Sequence, residues 1–267
     1  MILKNQSTYN YIENYLTEIQ AMGRYSVTLS ELRDRFNVSE KAILQNIYRL
    51  KRKNQLAHVR KEFYVIIPPQ YSIRGMVPTT LFIADMMNYL NRDYYVGLLS
   101  AAALHGAGHQ QPMIFQVMTK KPPLRNIKNQ KLSVSFYTIT NWEYDQISEK
   151  KTETGYLRIS SPELTAFDLV YHNKKIGGLN RILPILEDLS ETIKSSVLTK
   201  TAKTQKTPNI QRLGYLLDEL EYESLANSLF KFLGNKPKEI SLSLAHKERT
   251  GPINEKWRIF VNTDLDL

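Results

Sequence analysis

The chain has 267 residues, of which 42% are hydrophobic, so it can bury a sizeable core and predicts two domains of ordinary size. Cysteine is absent, which excludes disulfides, thiolate metal sites and cysteine nucleophiles. No stretch approaches the roughly 18 apolar residues of a membrane span, and the first residues lack the apolar run of a secretory signal. We therefore expect a cytoplasmic protein that does not bind membranes.

The formal net charge of +10 is concentrated near the N-terminus. Residues 1–75 carry 12 Lys or Arg and 6 Asp or Glu, whereas residues 161–267 carry 15 and 14. Between Lys41 and Lys61 there are seven basic residues and no acidic one. Because a basic run is often only a solvated face, the local structure has to decide whether this segment binds an acidic partner.

Three short helices are predicted in this basic region. The first ends near Gly23, and the second begins at the capping-box pattern of Thr28 and Glu31. After a three-residue connection, Ser39 can cap a third helix. The apolar faces of the first and third helices consist of Ile12, Leu16, Ile19, Ile43, Ile47 and Leu50.

The opposite face of the third helix carries side chains that donate hydrogen bonds. They are Lys41, Gln45, Tyr48, Arg49 and Arg52. Arginine can bridge guanine O6 and N7, glutamine can pair with adenine, and lysine and tyrosine mostly bind phosphates. Since a helix selected only for solubility usually mixes both signs of charge, this face favours DNA as the partner.

A β-hairpin is predicted after the third helix. Residues 56–59 and 63–67 are strand-like and flank the basic turn Arg60-Lys61-Glu62, and Pro68-Pro69 ends the segment. Residues 1–70 therefore predict a winged helix-turn-helix domain, with the third helix in the major groove and the wing on adjacent backbone. A winged helix used for protein contacts is the alternative. The predicted DNA-binding residues are Ser39, Lys41, Gln45, Tyr48, Arg49, Arg52, Arg60 and Lys61.

The rest of the chain predicts a linker at residues 71–78 and a larger mixed α/β domain at 79–267, with a small sheet and several helices. The fold class is therefore α+β. Helices are predicted at 79–90, 94–104, 161–172, 179–193, 210–220 and 225–233. Strands are predicted at 113–119, 132–139 and 155–159, with a terminal hairpin formed by 240–244 and 257–261.

Two acid-free stretches in this larger domain predict a possible second basic surface. Residues 94–142 and 192–217 contain no Asp or Glu. The basic residues proposed for this surface are Lys120, Lys121, Arg125, Lys128, Lys200, Lys203, Lys206 and Arg212. Exposed lysines on solvated loops and helices are the alternative interpretation.

Other polar residues in this domain are interpreted structurally. Glu163 and Asp168 follow the helix start at Ser161, where a cap contact or an ion pair with a residue such as Arg212 is favoured over catalysis. Trp257 is expected to anchor the core, and Asn262 to occupy a turn.

A metal site was tested on His105 and His109, which have the spacing of two ligands on one helix face. Gly106 and Gly108 both lie between the two histidines and disfavour a continuous helix. The residue after His105 is also not the Glu that a zinc protease motif requires. We therefore expect no metal, with His105 at the end of the helix predicted at 94–104.

Enzyme motifs are also missing. Asp264 and Asp266 match a magnesium-binding D-x-D spacing, but they lie at the very end of the chain, where a frayed terminus is the better account. No phosphate-binding glycine loop, dinucleotide fingerprint or nucleophile elbow is present, and Gly177-Gly178 is most simply a helix break. The sequence predicts no catalytic residue and no cofactor.

Four segments that follow the DNA-binding domain carry a family resemblance. They are YYVGLLSAAALHGA (94–107), SSPELTAFDLVYH (160–172), NIQRLGYLLDEL (209–220) and GPINEKWRIFVN (251–262). In this order after a winged helix, they resemble the AbiEi family, the antitoxins of type IV toxin–antitoxin systems that act in abortive infection.

The resemblance implies a bifunctional regulator. Its winged helix would bind inverted repeats in the promoter of its own operon and repress it, and its C-terminal domain would counter a nucleotidyltransferase toxin without a stable complex. The DNA-reading role then falls on the residues of the third helix and the wing named above. An enzyme or toxin-modifying factor with an unrecognised site in residues 94–220 is the alternative.

Overall fold

The computed structural model describes residues 11–108, 112–140, 142–234, 237–245 and 249–266, and every structural statement below concerns these residues. The chain divides into two compact units. The first unit comprises Met1–Tyr94, Arg125–Ser135 and Glu149–Leu157, and the second comprises Tyr95–Leu124, Phe136–Ser148 and Arg158–Leu267. The fold is a mixed α+β arrangement of helices and several small sheets, as predicted.

The first unit has the element order of a winged helix. Its elements are α1 (Tyr11–Ala21), β1 (Ser26–Thr28), α2 (Leu29–Arg35), α3 (Glu40–Arg52), β2 (Leu56–Arg60), β3 (Phe63–Ile66) and α4 (Ile83–Tyr89). The three strands form an antiparallel sheet in the order β1-β3-β2. The three predicted helices and the hairpin are confirmed, whereas β1 was missed because three residues carry too little pattern to signal a strand.

Capping and apolar spacing explain where these helices begin. Thr28 Oγ1 accepts a hydrogen bond from the Glu31 N–H at 3.1 Å, and Ser39 Oγ accepts from the Ala42 N–H at 3.3 Å. The predicted apolar faces of α1 and α3 are buried and pack into one core with the apolar residues of α2.

The Thr28 cap gives a first prediction. Thr28→Ala removes the acceptor for the Glu31 N–H, so we expect the free energy of unfolding to fall by about 0.5–2 kcal/mol. Thr28→Ser keeps the hydroxyl and should recover most of that loss. Urea denaturation of the three proteins measures the effect, and equal midpoints for the alanine and serine variants would contradict it.

The segment assigned to a linker contributes to the first unit. Met76 and Val77 are buried. Further along, Ser26 Oγ donates to Asp85 Oδ2 of α4 at 2.6 Å. The compact unit therefore continues through 71–78 to Tyr94, beyond the predicted 1–70 boundary. Short 3-10 helices at Pro69–Tyr71 and Thr79–Leu81 connect β3 to α4.

A six-stranded sheet follows, and one prediction within it is wrong. Its strands are β4 (Tyr94–Val96), β5 (Phe115–Thr119), β6 (Ile127–Lys128), β7 (Ser133–Thr138), β8 (Ile147–Thr152) and β9 (Gly155–Ser160), in the order β6-β7-β5-β4-β9-β8. The helix predicted at 94–104 is divided into strand β4 and helix α5 (Leu98–Leu104). Gly97 is extended (φ −128°, ψ −174°), which separates the two, and a short apolar run does not distinguish strand from helix.

Five helices form the core of the second unit. They are α6 (Pro162–Ile176), α7 (Leu179–Ser190), α8 (Ser195–Ala202), α9 (Thr207–Glu219) and α10 (Glu223–Phe230). Ser161 Oγ accepts from the Leu164 N–H at 3.2 Å, so the predicted cap of α6 is confirmed. The predicted helix break is also confirmed: Gly177 and Gly178 have φ values of 112° and 91°, in the region where glycine is strongly favoured.

The end of the chain differs from the predicted hairpin. Strands β10 (Ile240–Ser241), β11 (Ile253–Asn254) and β12 (Ile259–Phe260) form a small sheet in which β10 is parallel to β12 and β11 is antiparallel to it. The prediction that residues 240–244 and 257–261 pair as a hairpin is therefore wrong, because β11 lies between them in sequence and supplies the antiparallel partner.

Two residues of this terminal segment have clear roles. Trp257 is fully buried, which confirms its prediction as a core anchor. Asn262 is not a turn residue: its Oδ1 accepts from the Ser243 N–H at 2.8 Å, and its Nδ2 donates to the Ser243 carbonyl at 3.3 Å. In the described part of the chain, no helix is long and apolar enough to cross a membrane.

Candidate nucleic-acid interface

The outer face of α3 presents the predicted base-reading and phosphate-binding side chains. Lys41, Gln45 and Arg52 are exposed, and the Tyr48 side chain is 63% exposed. Arg49 is half-buried, and its Nη2 donates to Asn46 Oδ1 at 2.8 Å on the same helix. The helix therefore brings four of the predicted side chains to the solvent together, with Arg49 at their inner margin.

The outer face of α3 carries a positive charge, and the acid next to it is paired with an arginine. Glu40 in the first turn of α3 accepts from Arg33 Nη2 at 2.6 Å. Ser39 uses its hydroxyl for the helix cap, so its role in the structure is to begin α3. The Glu40 carboxylate is thus engaged by Arg33, and the other charged residues of α3 are all basic.

The wing contributes Lys61 and uses Arg60 differently from the prediction. Lys61 is exposed in the turn between β2 and β3. Arg60 is half-buried, and its guanidinium donates to the main-chain carbonyl of Arg125. Burial lowers the pKa of Arg60 from its ordinary value. In this structure Arg60 thus fastens the wing to the 125–135 segment of the first unit.

The residues proposed for a second basic surface lie in different units and differ in their contacts. Arg125 and Lys128 belong to the first unit, and the other six to the second. Lys200 forms an ion pair with Asp145, and the Lys120 ammonium lies 4.5 Å from the Trp142 ring centre. Lys121, Lys203 and Lys206 are exposed, as residues of a basic surface must be.

Arg212 does not belong to an exposed surface. Its Nε donates to the carbonyls of Ser241 and Leu242 at 3.0 and 3.1 Å, and its Nη2 donates to that of Ser241 at 2.9 Å. Burial lowers its pKa. Spacing on α9 could not reveal this contact, because the acceptors come from the chain near β10, 29 residues further on.

Glu163 and Asp168 both accept hydrogen bonds within the second unit, from partners other than the arginine suggested by the sequence. Glu163 Oε1 accepts from the Lys194 N–H at 3.0 Å. Asp168 Oδ2 accepts from the Tyr95 hydroxyl at 2.9 Å. The Arg212 guanidinium donates to the main-chain carbonyls near β10 and not to Glu163 or Asp168. Tyr95 lies in β4 and Lys194 directly precedes α8, so packing between distant segments brings these partners to α6.

The histidine pair is only partly described. His105 follows the end of α5, and its Nε2 lies 2.7 Å from the Ser160 carbonyl oxygen. His109 lies outside the described residues, so the pair itself has no described geometry. Within the described residues, no group of three or more His, Asp or Glu side chains could hold a metal ion. At the chain end, Asp266 Oδ2 accepts from Asn180 Nδ2 at 2.7 Å.

Sequence reasoning missed a cavity of about 380 Å³ within the second unit. Asp168, Tyr95, Trp142, His172 and Asn209 are among the residues that line it. Burial raises the pKa of Asp168 to about 7, and burial lowers the pKa of His172 to about 4. The available signal was a single carboxylate within the otherwise apolar run LTAFDLV of α6.

Comparison with known proteins identifies the domain that contains this cavity. Residues 95–219 match the family model described as the AbiEi antitoxin C-terminal domain. No curated protein matches the chain significantly. Together with the mixed α+β fold, the match places an AbiEi-type antitoxin domain at residues 95–219. The match confirms the AbiEi resemblance of the first three sequence segments, and the fourth, at residues 251–262, lies outside the matched range.

A solved structure has a similar fold over almost the whole chain. The crystal structure of the RV2827C protein from Mycobacterium tuberculosis has a TM-score of 0.70 and 17% sequence identity, covering 96% of this chain and 92% of that one. An antigenic nucleotidyltransferase-like protein from Paracoccidioides brasiliensis has a TM-score of 0.35 and 10% identity, covering 55% of this chain and 88% of that one. The first similarity extends over almost the whole chain and concerns the fold; the second is too weak to support an argument.

Proposed function

We propose that the protein is the DNA-binding autorepressor and antitoxin of a type IV toxin–antitoxin system active in phage defence. It binds inverted repeats in the promoter of its own operon and counters a cognate nucleotidyltransferase toxin. The observation that carries the DNA-binding part is the outer face of α3, where Lys41, Gln45, Tyr48 and Arg52 are exposed and the adjacent Glu40 is paired with Arg33.

The residues on this face have two different roles in recognition, contact with bases and contact with phosphates. Arg52 and Gln45 can make paired hydrogen bonds to the edges of guanine and adenine in the major groove. Lys41, Tyr48 and the wing residue Lys61 bind phosphates, which fix the protein on the duplex without reading its sequence. Arg49 supports them from the inner margin through its bond to Asn46.

The antitoxin part rests on the AbiEi domain at residues 95–219. In a type IV system the antitoxin opposes the effect of the toxin and forms no stable complex with it. The protein acts as no enzyme in this proposal and requires no cofactor. The second basic surface, reduced to Lys121, Lys203 and Lys206, is a secondary region for antitoxicity or further DNA contact.

Binding to the promoter DNA tests the first part. We expect the full chain to bind a duplex with its own upstream inverted repeat more tightly than a scrambled duplex of equal composition, with affinity falling steeply as salt rises. Arg52→Ala should weaken specific binding about tenfold or more, because a paired contact to guanine contributes about 1–3 kcal/mol. Fluorescence anisotropy over a salt series measures both effects.

The matched control is Lys174→Ala, which removes one positive charge from an exposed position on α6. It should leave the affinity for the operator unchanged. If Arg52→Ala and Lys174→Ala bind alike, or if the wild-type protein does not distinguish its upstream DNA from the scrambled duplex, α3 is not the recognition helix.

Co-expression with the neighbouring nucleotidyltransferase tests the second part. We expect the wild-type chain and Arg52→Ala both to restore growth in the presence of the toxin, because the substitution affects only DNA binding. Toxin recovered from these cells should have its unmodified mass. A covalent mark on the toxin that depends on this chain would instead support the toxin-modifying alternative, and failure to restore growth would contradict the antitoxin role.

A further inference from the structure

The cavity of the second unit has the composition of a ligand site. Its volume of about 380 Å³ lies near the lower end of the 300–1,000 Å³ typical of small-molecule pockets. The aromatic rings of Tyr95, Trp142 and Tyr171 line it together with the carboxyl groups of Asp168 and Glu143. Such pockets combine a mainly apolar or aromatic wall with a few polar groups that orient the ligand.

Three side chains of the wall offer hydrogen-bond acceptors to a ligand. Asp168 Oδ2 already accepts from the Tyr95 hydroxyl, and the carboxyl of Glu143, an exposed residue, is a further acceptor. Asn209 Nδ2 donates to the Phe167 carbonyl and to Gln205 Oε1, which fixes the amide so that its oxygen is also an acceptor.

Two buried atoms of the wall have unused hydrogen-bonding capacity. Among the described residues, Asn209 Oδ1 and His172 Nε2 have no hydrogen-bond partner, although both residues are more than nine-tenths buried. An unpaired buried polar atom costs about 1–3 kcal/mol, so a ligand group that reaches one of these atoms would remove that cost. A ligand N–H group, with a small rotation of these side chains, would satisfy the acceptor oxygen.

The aromatic part of the wall suits a cation. The Trp142 ring of the wall already attracts a cation of the chain itself, since the Lys120 ammonium lies 4.5 Å from its centre. Aromatic faces attract cations through their quadrupole, and flat delocalised cations stack on them as well. Acceptors and aromatic rings therefore favour the same type of ligand.

We propose that this cavity binds a small molecule with a flat organic cation, a guanidinium or amidinium group, between the aromatic rings and the carboxyl groups of Asp168 and Glu143. A guanidinium presents several N–H donors in one plane and forms paired hydrogen bonds with a carboxylate. The exposed Lys206 at the same cavity can add an ion pair with a carboxylate on the ligand. The AbiEi domain would then be a sensor of such a molecule.

Titration of the full chain with agmatine tests the proposal. The protein has two tryptophans, Trp142 at the cavity and Trp257 in the core, so a saturable fluorescence change that Trp142→Phe abolishes locates binding at the cavity. Above pH 7, where Asp168 is ionised, Asp168→Asn should weaken agmatine binding about tenfold or more, because it removes a charge-assisted hydrogen bond. Arginine should bind more tightly than agmatine in the wild type, and Lys206→Ala should abolish that difference.

Controls keep the result independent of folding. Glu143→Gln alters an exposed acid at the cavity and should weaken binding even if Asp168→Asn proves unstable by circular dichroism. Glu191→Gln removes an exposed acid elsewhere in the second unit and should leave binding unchanged. No saturable response to agmatine at millimolar concentration, equal binding by all carboxyl variants, or binding of neutral nucleosides in place of agmatine would each overturn the proposal.

Discussion

Trp257→Ala is expected to lower the free energy of unfolding by about 3–5 kcal/mol, since it removes a fully buried indole from the core of the second unit. The indole Nε1 also donates to Asp218 Oδ2 at 2.5 Å, and the ring packs edge-to-face with Phe230 at 5.6 Å. The substitution therefore removes packing and one hydrogen bond to Asp218, whose Oδ2 keeps its ion pair with Lys256 Nζ at 2.7 Å. Urea denaturation followed by circular dichroism measures the loss.

Gly214 gives this prediction a matched test. A Cβ at Gly214 would lie 2.0 Å from the Trp257 ring, so Gly214→Ala forces the helix or the indole to move. We expect the double variant Gly214→Ala, Trp257→Ala to lose less stability than the two single variants added together, since the smaller residue at 257 makes room for the methyl group. Met22→Ala, at a position 81% exposed, is the control and should change stability little.

Additive losses in the double variant would contradict this account. They would mean that Gly214 is required for the helix itself and not for the approach of the indole. A small effect of Trp257→Ala would contradict the role of Trp257 as the residue that fastens the terminal segment to α9.

The second large effect is a change in the pH dependence of stability at Asp168 and His172. The pKa of Asp168 is raised from 3.8 to about 7, so the folded protein holds this proton more tightly, and its contribution to stability falls as pH rises from about 4 to about 7. The pKa of His172 is lowered from 6.5 to about 4, so its contribution rises with pH over that interval up to 6.5. In the wild type the two slopes oppose each other.

Single substitutions should separate the contributions of Asp168 and His172 to the pH dependence of the free energy of unfolding. Between about pH 4.5 and 6, Asp168→Asn should make stability rise with pH by up to about 1.4 kcal/mol per unit relative to the wild type, and His172→Gln should make it fall by a similar amount. Chemical denaturation at several pH values measures both. Asp264→Asn, which alters an exposed acid near the chain end, is the control. Parallel pH profiles for all four proteins would contradict the opposing titrations.

Local signals in the sequence predicted much of the secondary structure. Thr28, Ser39 and Ser161 cap helices in the structure as they do in the prediction, because a cap depends on residues only three positions apart. The Gly177-Gly178 break is local for the same reason. Helical spacing alone determines the exposed face of α3, so the sequence predicts that Lys41, Gln45, Tyr48 and Arg52 lie on it.

Contacts between distant segments could not be predicted in this way. Arg60 meets the carbonyl of Arg125, and Arg212 meets the carbonyls near β10, and neither partner carries a side-chain signal. The parallel pairing of β10 with β12 also depends on the path of the chain between them. Main-chain acceptors are present at every residue, so composition and spacing cannot indicate which of them an arginine will reach.

The sequence by itself determined the class of fold, the positive face of α3 and the family segments, because each depends on the order and spacing of nearby residues. The tertiary structure alone decided which basic residues remain exposed, and it brought Tyr95, Trp142, Asp168, His172 and Asn209 together around one cavity. These five residues come from separate parts of the chain. Their proximity is a consequence of packing between elements, which minimises exposed apolar surface and has no local sequence pattern.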